Sequence, residues 1–161
     1  MAVTQSRLRQ SAGRAEIRMM GISSIFWMQV HGAITHFPIA FLFGAALFDA
    51  IGFLLPDSSK RRSFQFTGYW LLILGGLSSF GAAFSGLAVS RWSVSGTGPL
   101  LQHHLFAWPA FALIVGLTSW RVVVVSTPSR RAFAVYLSVL ALTCALVGMV
   151  GWTGGELLIG H

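Results

Sequence analysis

Apolar positions run along this chain in long blocks separated by short polar ones. Ile22 to Pro56 carries a single charged residue, Asp49, while Phe64 to Ser90, Trp92 to Trp120 and Ala132 to Gly155 carry none. Each block exceeds the roughly 20 apolar residues that take a helix across a bilayer. Period-two alternation is missing, and an open sheet cannot cross a membrane. The pattern predicts an all-α integral membrane protein with spans over about 28–55, 64–89, 101–125 and 133–158. Pro56-Asp57-Ser58-Ser59 and the Gly/Ser/Thr/Pro run from Ser93 to Pro99 supply turns. Connections this short make successive helices antiparallel neighbours in an up-down-up-down four-helix bundle. Pro38 and Pro109 fall inside spans one and three, where each removes a backbone hydrogen bond. Gly75, Ser79, Ala82, Ala83 and Gly86 give span two the small residues that let a neighbouring backbone approach.

Composition excludes the alternatives. Charged residues make up 9% of the 161, hydrophobic residues 55%, and mean hydropathy is +0.73. A soluble domain carries about 25% charge, and a disordered chain lacks the apolar content. The net charge of +7 sits in an N-terminal tail (Arg7, Arg9, Arg14, Arg18) and in loops (Lys60, Arg61, Arg62, Arg130, Arg131). That placement suits lipid headgroups and topology rather than nucleic acid. Residues 1–21 form a basic tail, suited to an interfacial helix, ahead of a transmembrane domain over 22–161. The tail lacks the cleavage pattern of a signal peptide, and Met19 or Met20 offers an alternative translation start. Cys144, the single cysteine, lies inside the last span and forms no intrachain disulfide.

Topology then acts on the histidines. His31 and His36 open span one, His103 and His104 open span three, and His161 follows span four. In an up-down-up-down bundle all five belong to one membrane face. Trp27, Trp92, Trp108 and Trp152 lie at similar depths, as an interfacial aromatic belt does. Positive charges number five on the histidine side and six opposite; a start at Met19 makes this one against six and turns the histidine face outward. Imidazole is the common ligand of haem iron and of divalent metals. Two facing helices that each bring a histidine to one depth meet the requirement of bis-histidine haem b. By depth, His36 and His104 are the expected axial ligands, with His31 and either His103 or His161 available for a second haem. His31 and His36 stand about 7.5 Å apart along the helix and about 140° round it, which makes them poor co-ligands of one ion. Asp49 and Arg121 lie toward the opposite face, where pairing would lower the cost of burying each. Glu156, on the histidine side, is placed to orient a histidine or carry protons.

The two ends of the span region resemble a known family. His31-Gly-Ala-Ile-Thr-His36-Phe-Pro38-Ile, followed by Asp49, resembles the H-P-x-x-x-H-F-P-I opening of a domain-of-unknown-function family of small four-helix bacterial membrane proteins. Gly151-Trp-Thr-Gly-Gly155-Glu156-Leu, with His161 beyond it, is similar to that family's closing G-W-x-G-G-E-L. A histidine also opens the family's third span. The resemblance covers about residues 28–161. Gly32 stands where the family has proline, and the family's acid is absent near Val89. The resemblance implies a bacterial inner-membrane location. Some members lie beside Rieske-type iron–sulfur domains, which implies electron transfer.

These readings lead to one expectation and two alternatives. The expectation is a cytochrome b-like electron-transfer subunit holding one or two haems, exchanging electrons between a redox partner protein and the quinone pool. A non-haem metal site would need help from Glu156, Met28 or Met149. A cofactor-free structural subunit of a homo- or hetero-oligomeric complex is the other alternative. No P-loop, zinc-protease or Ser/His/Asp motif suggests a free-standing enzyme.

Overall fold

The computed structural model describes the backbone of residues 2–124 and 128–159, and the side chains of residues 23–124 and 128–157. Its elements are four helices: α1 (Ala2–Leu54), α2 (Ser58–Val89), α3 (Pro99–Val123) and α4 (Arg130–Ile159). Each contains a stretch long and apolar enough to cross a membrane. The expected all-α, four-span architecture is the one observed.

The helix ends follow capping chemistry. Asp57 accepts hydrogen bonds from the Ser59 and Lys60 amides at 2.7 and 3.3 Å and so starts α2. The basic residues 60–62 therefore lie within the helix rather than ahead of it, and α2 begins six residues before the expected span. Arg61 donates to the Leu55 carbonyl through Nε and Nη2, satisfying an acceptor left open at the end of α1. Pro99 sits in the first turn of α3, where its missing amide costs nothing. The α2–α3 connection turns through Arg91 and Trp92, both left-handed (φ 53° and 65°), and through Gly96 and Gly98. Trp108 holds this loop against α3 by donating from Nε1 to the Val94 carbonyl at 2.8 Å. The tail joins the first span: α1 continues without a break from residue 2.

The helices form a ring in chain order. α1 packs against α2 and α4, α3 packs against the same two, and α1 and α3 face each other on the diagonal. The core between them holds Leu42, Leu72, Ile114, Leu117 and Leu140. Close approach depends on small residues. A Cβ on Gly76 would stand 2.6 Å from Thr118 Oγ1, and one on Gly75 would stand 3.4 Å from Phe41 Cβ. The outer faces display Phe37, Phe43, Leu47, Phe66, Trp70 and Leu142. An exposed apolar belt of this kind is matched to lipid rather than to water.

Antiparallel order puts the α2–α3 and α3–α4 connections on opposite faces. Ser95→Cys and Ser129→Cys variants, labelled in intact spheroplasts with a membrane-impermeant maleimide, should react at one position and be protected at the other.

Candidate functional site

Each end of the bundle carries polar side chains in its interior, and each set draws on all four helices. At the histidine end, His31 of α1 places Nδ1 2.9 Å from Ser85 Oγ of α2. Ser85 Oγ spends its hydrogen on the Ala82 carbonyl at 3.0 Å. With its hydrogen on that carbonyl it accepts from His31 Nδ1–H, the tautomer that leaves Nε2 as the lone-pair nitrogen. His103 of α3 repeats the arrangement against α4. Its Nδ1 lies 3.2 Å from Thr153 Oγ1, and that hydroxyl donates to the Met149 carbonyl at 2.9 Å. Both rings lie over glycine: a Cβ on Gly86 would stand 3.1 Å from His31 Cε1, and one on Gly154 3.3 Å from His103 Cε1. With both hydroxyls donating to carbonyls of their own helices, both imidazoles carry the proton on Nδ1, and both rings lie against a helix that has no side chain in the way.

The other histidines are placed differently. His104 is buried at 8% exposure, touches Trp108 and His103 through its ring, and has an Nδ1 with no hydrogen-bond partner. His103 lies within electrostatic reach of both His104 and His31. His36 is exposed, and its Nδ1 donates to the Gly32 carbonyl of its own helix at 2.6 Å. The structure therefore turns His31 and His103 toward neighbouring helices, while His36 and His104, the pair favoured by depth, lie one outside and one inside. His161 lies outside the described residues. Glu156 is exposed and accepts from Trp152 Nε1 of its own helix at 2.9 Å. Among the described residues, no three His, Cys, Asp or Glu side chains converge as a metal site.

At the opposite end, Asp49 of α1 is fully buried and Arg121 of α3 is 7% exposed. Arg121 Nη2 lies 3.2 Å from Asp49 Oδ1 and donates to the Gln65 carbonyl of α2 at 3.1 Å. Tyr136 of α4 donates its hydroxyl to Asp49 Oδ2 at 2.7 Å. The guanidinium carbon rests 5.0 Å from the Phe133 ring centre and 5.3 Å from that of Tyr136, a cation–π stack that lowers the cost of burying it. Its Nε is buried without a partner. Gly68 admits the carboxylate, because a Cβ there would stand 2.5 Å from Asp49 Oδ1. All four helices meet in this one network. Tyr136, Gly68 and the Gln65 carbonyl were not foreseen from sequence. A lone Tyr in an otherwise apolar stretch of span four was the available signal.

The chain belongs to a family of integral membrane proteins. It is the predicted membrane protein family DUF2231, which it matches over residues 28–161. No curated protein and no solved structure matches it.

Removing one member of a buried pair leaves the other uncompensated, at a cost of about 3–5 kcal/mol, whereas a neutral pair of similar volume is tolerated. Asp49→Asn and Arg121→Met should therefore each lower the detergent-solubilised melting temperature. The double variant should recover most of the loss. Equal damage in single and double variants would mean that the two residues act independently.

Proposed function

We propose that this protein is a membrane electron-transfer subunit in which His31 and His103 hold a b-type haem near one membrane face. The observation that carries this reading is the matched pair of imidazoles. They stand on diagonal helices, each bound through Nδ1 to a hydroxyl of the next helix, each keeping Nε2 as its lone-pair nitrogen. His31 and His103 would each offer an imidazole nitrogen to a haem held between them. A ligating histidine is ordinarily oriented by a hydrogen bond through its other ring nitrogen. Ser85 and Thr153 supply that bond here. His104, buried beside His103 with an unpartnered Nδ1, is the kind of group that a bound molecule or water would satisfy.

A non-haem metal site is the weaker reading. Zinc or iron held by protein side chains needs three or more donors, and the described residues bring no such group together. Haem needs only two.

When bound, haem would supply one-electron chemistry at a potential tuned by the histidines that hold it, its burial and surrounding hydrogen bonds. The chain's own contribution would be to fix two ring orientations and to exclude water with the core at Leu42, Ala110 and Ile114. A redox protein on the histidine side and a quinone in the bilayer are the partners that this role implies. The setting is a bacterial inner membrane with the histidine face outward.

The test is spectroscopic. Protein purified from cells with ample haem should show reducible b-type absorption bands. His31→Ala and His103→Ala should each abolish them, while His36→Ala should leave them intact. A colourless protein, or one bleached by His36→Ala alone, would sink this assignment.

A further inference from the structure

The two helical hairpins are copies of one plan. On α1 the buried positions include Pro38, Leu42, Ala45 and Asp49, and on α3 Ala110, Ile114, Leu117 and Arg121; Gly52 and His104 are buried outside this register. The second set of four is the first displaced by 72 residues, the separation of Asp49 from Arg121. His31 and His103 obey the same displacement. The second helices agree at a slightly shorter displacement. Gly68, Leu72, Gly75, Gly76, Ser79 and Ser85 on α2 align in order with Tyr136, Leu140, Thr143, Cys144, Val147 and Thr153 on α4, and all twelve are buried. The dipeptides Ser85-Gly86 and Thr153-Gly154, against which the two imidazoles lie, fall on this register.

This shared register is what a pseudo-two-fold axis along the membrane normal, relating α1–α2 to α3–α4, would produce, as in other membrane folds built from parallel repeats. Ring packing fits this axis, since the α1–α4 contact becomes the α3–α2 contact under the rotation. Symmetry-related residues on the diagonal helices can meet only across the axis. Two such pairs matter, His31 with His103 and Asp49 with Arg121. Asp49 follows His31, and Arg121 follows His103, by the same interval of 18 residues, which is about five full turns and about 27 Å. Each charge thus shares a helical stripe with its histidine.

From this we infer that Asp49 and Arg121 are positioning residues for the histidine pair. The helices α1 and α3 do not pack backbone against backbone. The ion pair joins them directly, and it does so from the stripes that carry His31 and His103. Holding Asp49 against Arg121 fixes the rotation of α1 relative to α3, and that rotation turns His31 and His103 toward the same axis. The remaining contacts break the symmetry to suit unlike charges. Gly68 makes room for the carboxylate, and its counterpart Tyr136 bonds that carboxylate and stacks under the guanidinium.

This inference builds on the reading of His31 and His103 as a ligand pair, yet its test needs no haem. In a Cys144→Ala background, His31→Cys/His103→Cys reports the facing of α1 and α3. His31→Cys/Ser85→Cys reports packing within the first hairpin. Both pairs should cross-link with a short bis-maleimide in native membranes. Adding Asp49→Asn and Arg121→Met should slow the first cross-link about tenfold or more, as a population shift away from the facing state, and leave the second unchanged. Arg121→Lys, which keeps the charge and shortens its reach, should give an intermediate rate if the double variant fails to accumulate. An unchanged first cross-link would overturn the inference, and so would parallel loss of both, which would mark the pair as a general support of the fold. A colourless protein that still shows the selective loss would overturn the haem and leave the alignment standing.

Discussion

A carboxylate and a guanidinium inside a lipid-facing bundle set the terms for the rest of this structure. Neither can stay charged in hydrocarbon without a partner, and neither reaches water in the arrangement observed. Their solution draws one element from each helix: Asp49 from α1, the Gln65 carbonyl and the Gly68 gap from α2, Arg121 from α3, and Tyr136 with Phe133 from α4. All four helices are apolar enough to face lipid, and apolar packing in a membrane has little power to choose among rotations. A buried ion pair has that power, because a rotated helix would strand one charge. Buried ionic groups are weak sources of net stability, and the attested use of such groups is to fix register.

The histidine end works by a gentler version of the same rule. For His31 and His103 a neighbouring helix supplies Nδ1 with a hydroxyl one residue before a glycine. The glycine lets the ring approach; the hydroxyl, already committed to a carbonyl of its own helix, dictates which ring nitrogen carries the proton. The chain does this twice with different residues, Ser85-Gly86 and Thr153-Gly154. Repetition with altered side chains makes accidental placement a poor account of the arrangement.

Much of the fold was legible because its cause is one-dimensional. Four charge-poor blocks give four helices, since a chain in lipid must satisfy its backbone internally. Helix starts were less legible, because they depend on single side chains. Asp57 caps α2 and draws Lys60, Arg61 and Arg62 into the helix, although a run of basic residues reads as loop. Depth of the histidines was also legible, since it follows from counting along a helix. Facing was not, because rotation has no reference point in a sequence that is apolar on every side.

The reference point was nonetheless present. A charged residue inside a span must face the bundle interior, so Asp49 marks the inner stripe of α1 and Arg121 that of α3. Measured from Asp49, His31 lies five whole turns back and on the stripe, whereas His36 lies about 140° away from it. Measured from Arg121, His103 is on the stripe and His104 about 100° off. Sequence depth alone favoured His36 and His104, while rotation counted from the buried charges selects His31 and His103, the two whose rings bond to the next helix. His36, freed from the interior, turns to its own Gly32 carbonyl. The buried charges thus supply the phase for their own stripes, which carry His31 and His103, while His104, off that stripe, is buried instead against Trp108.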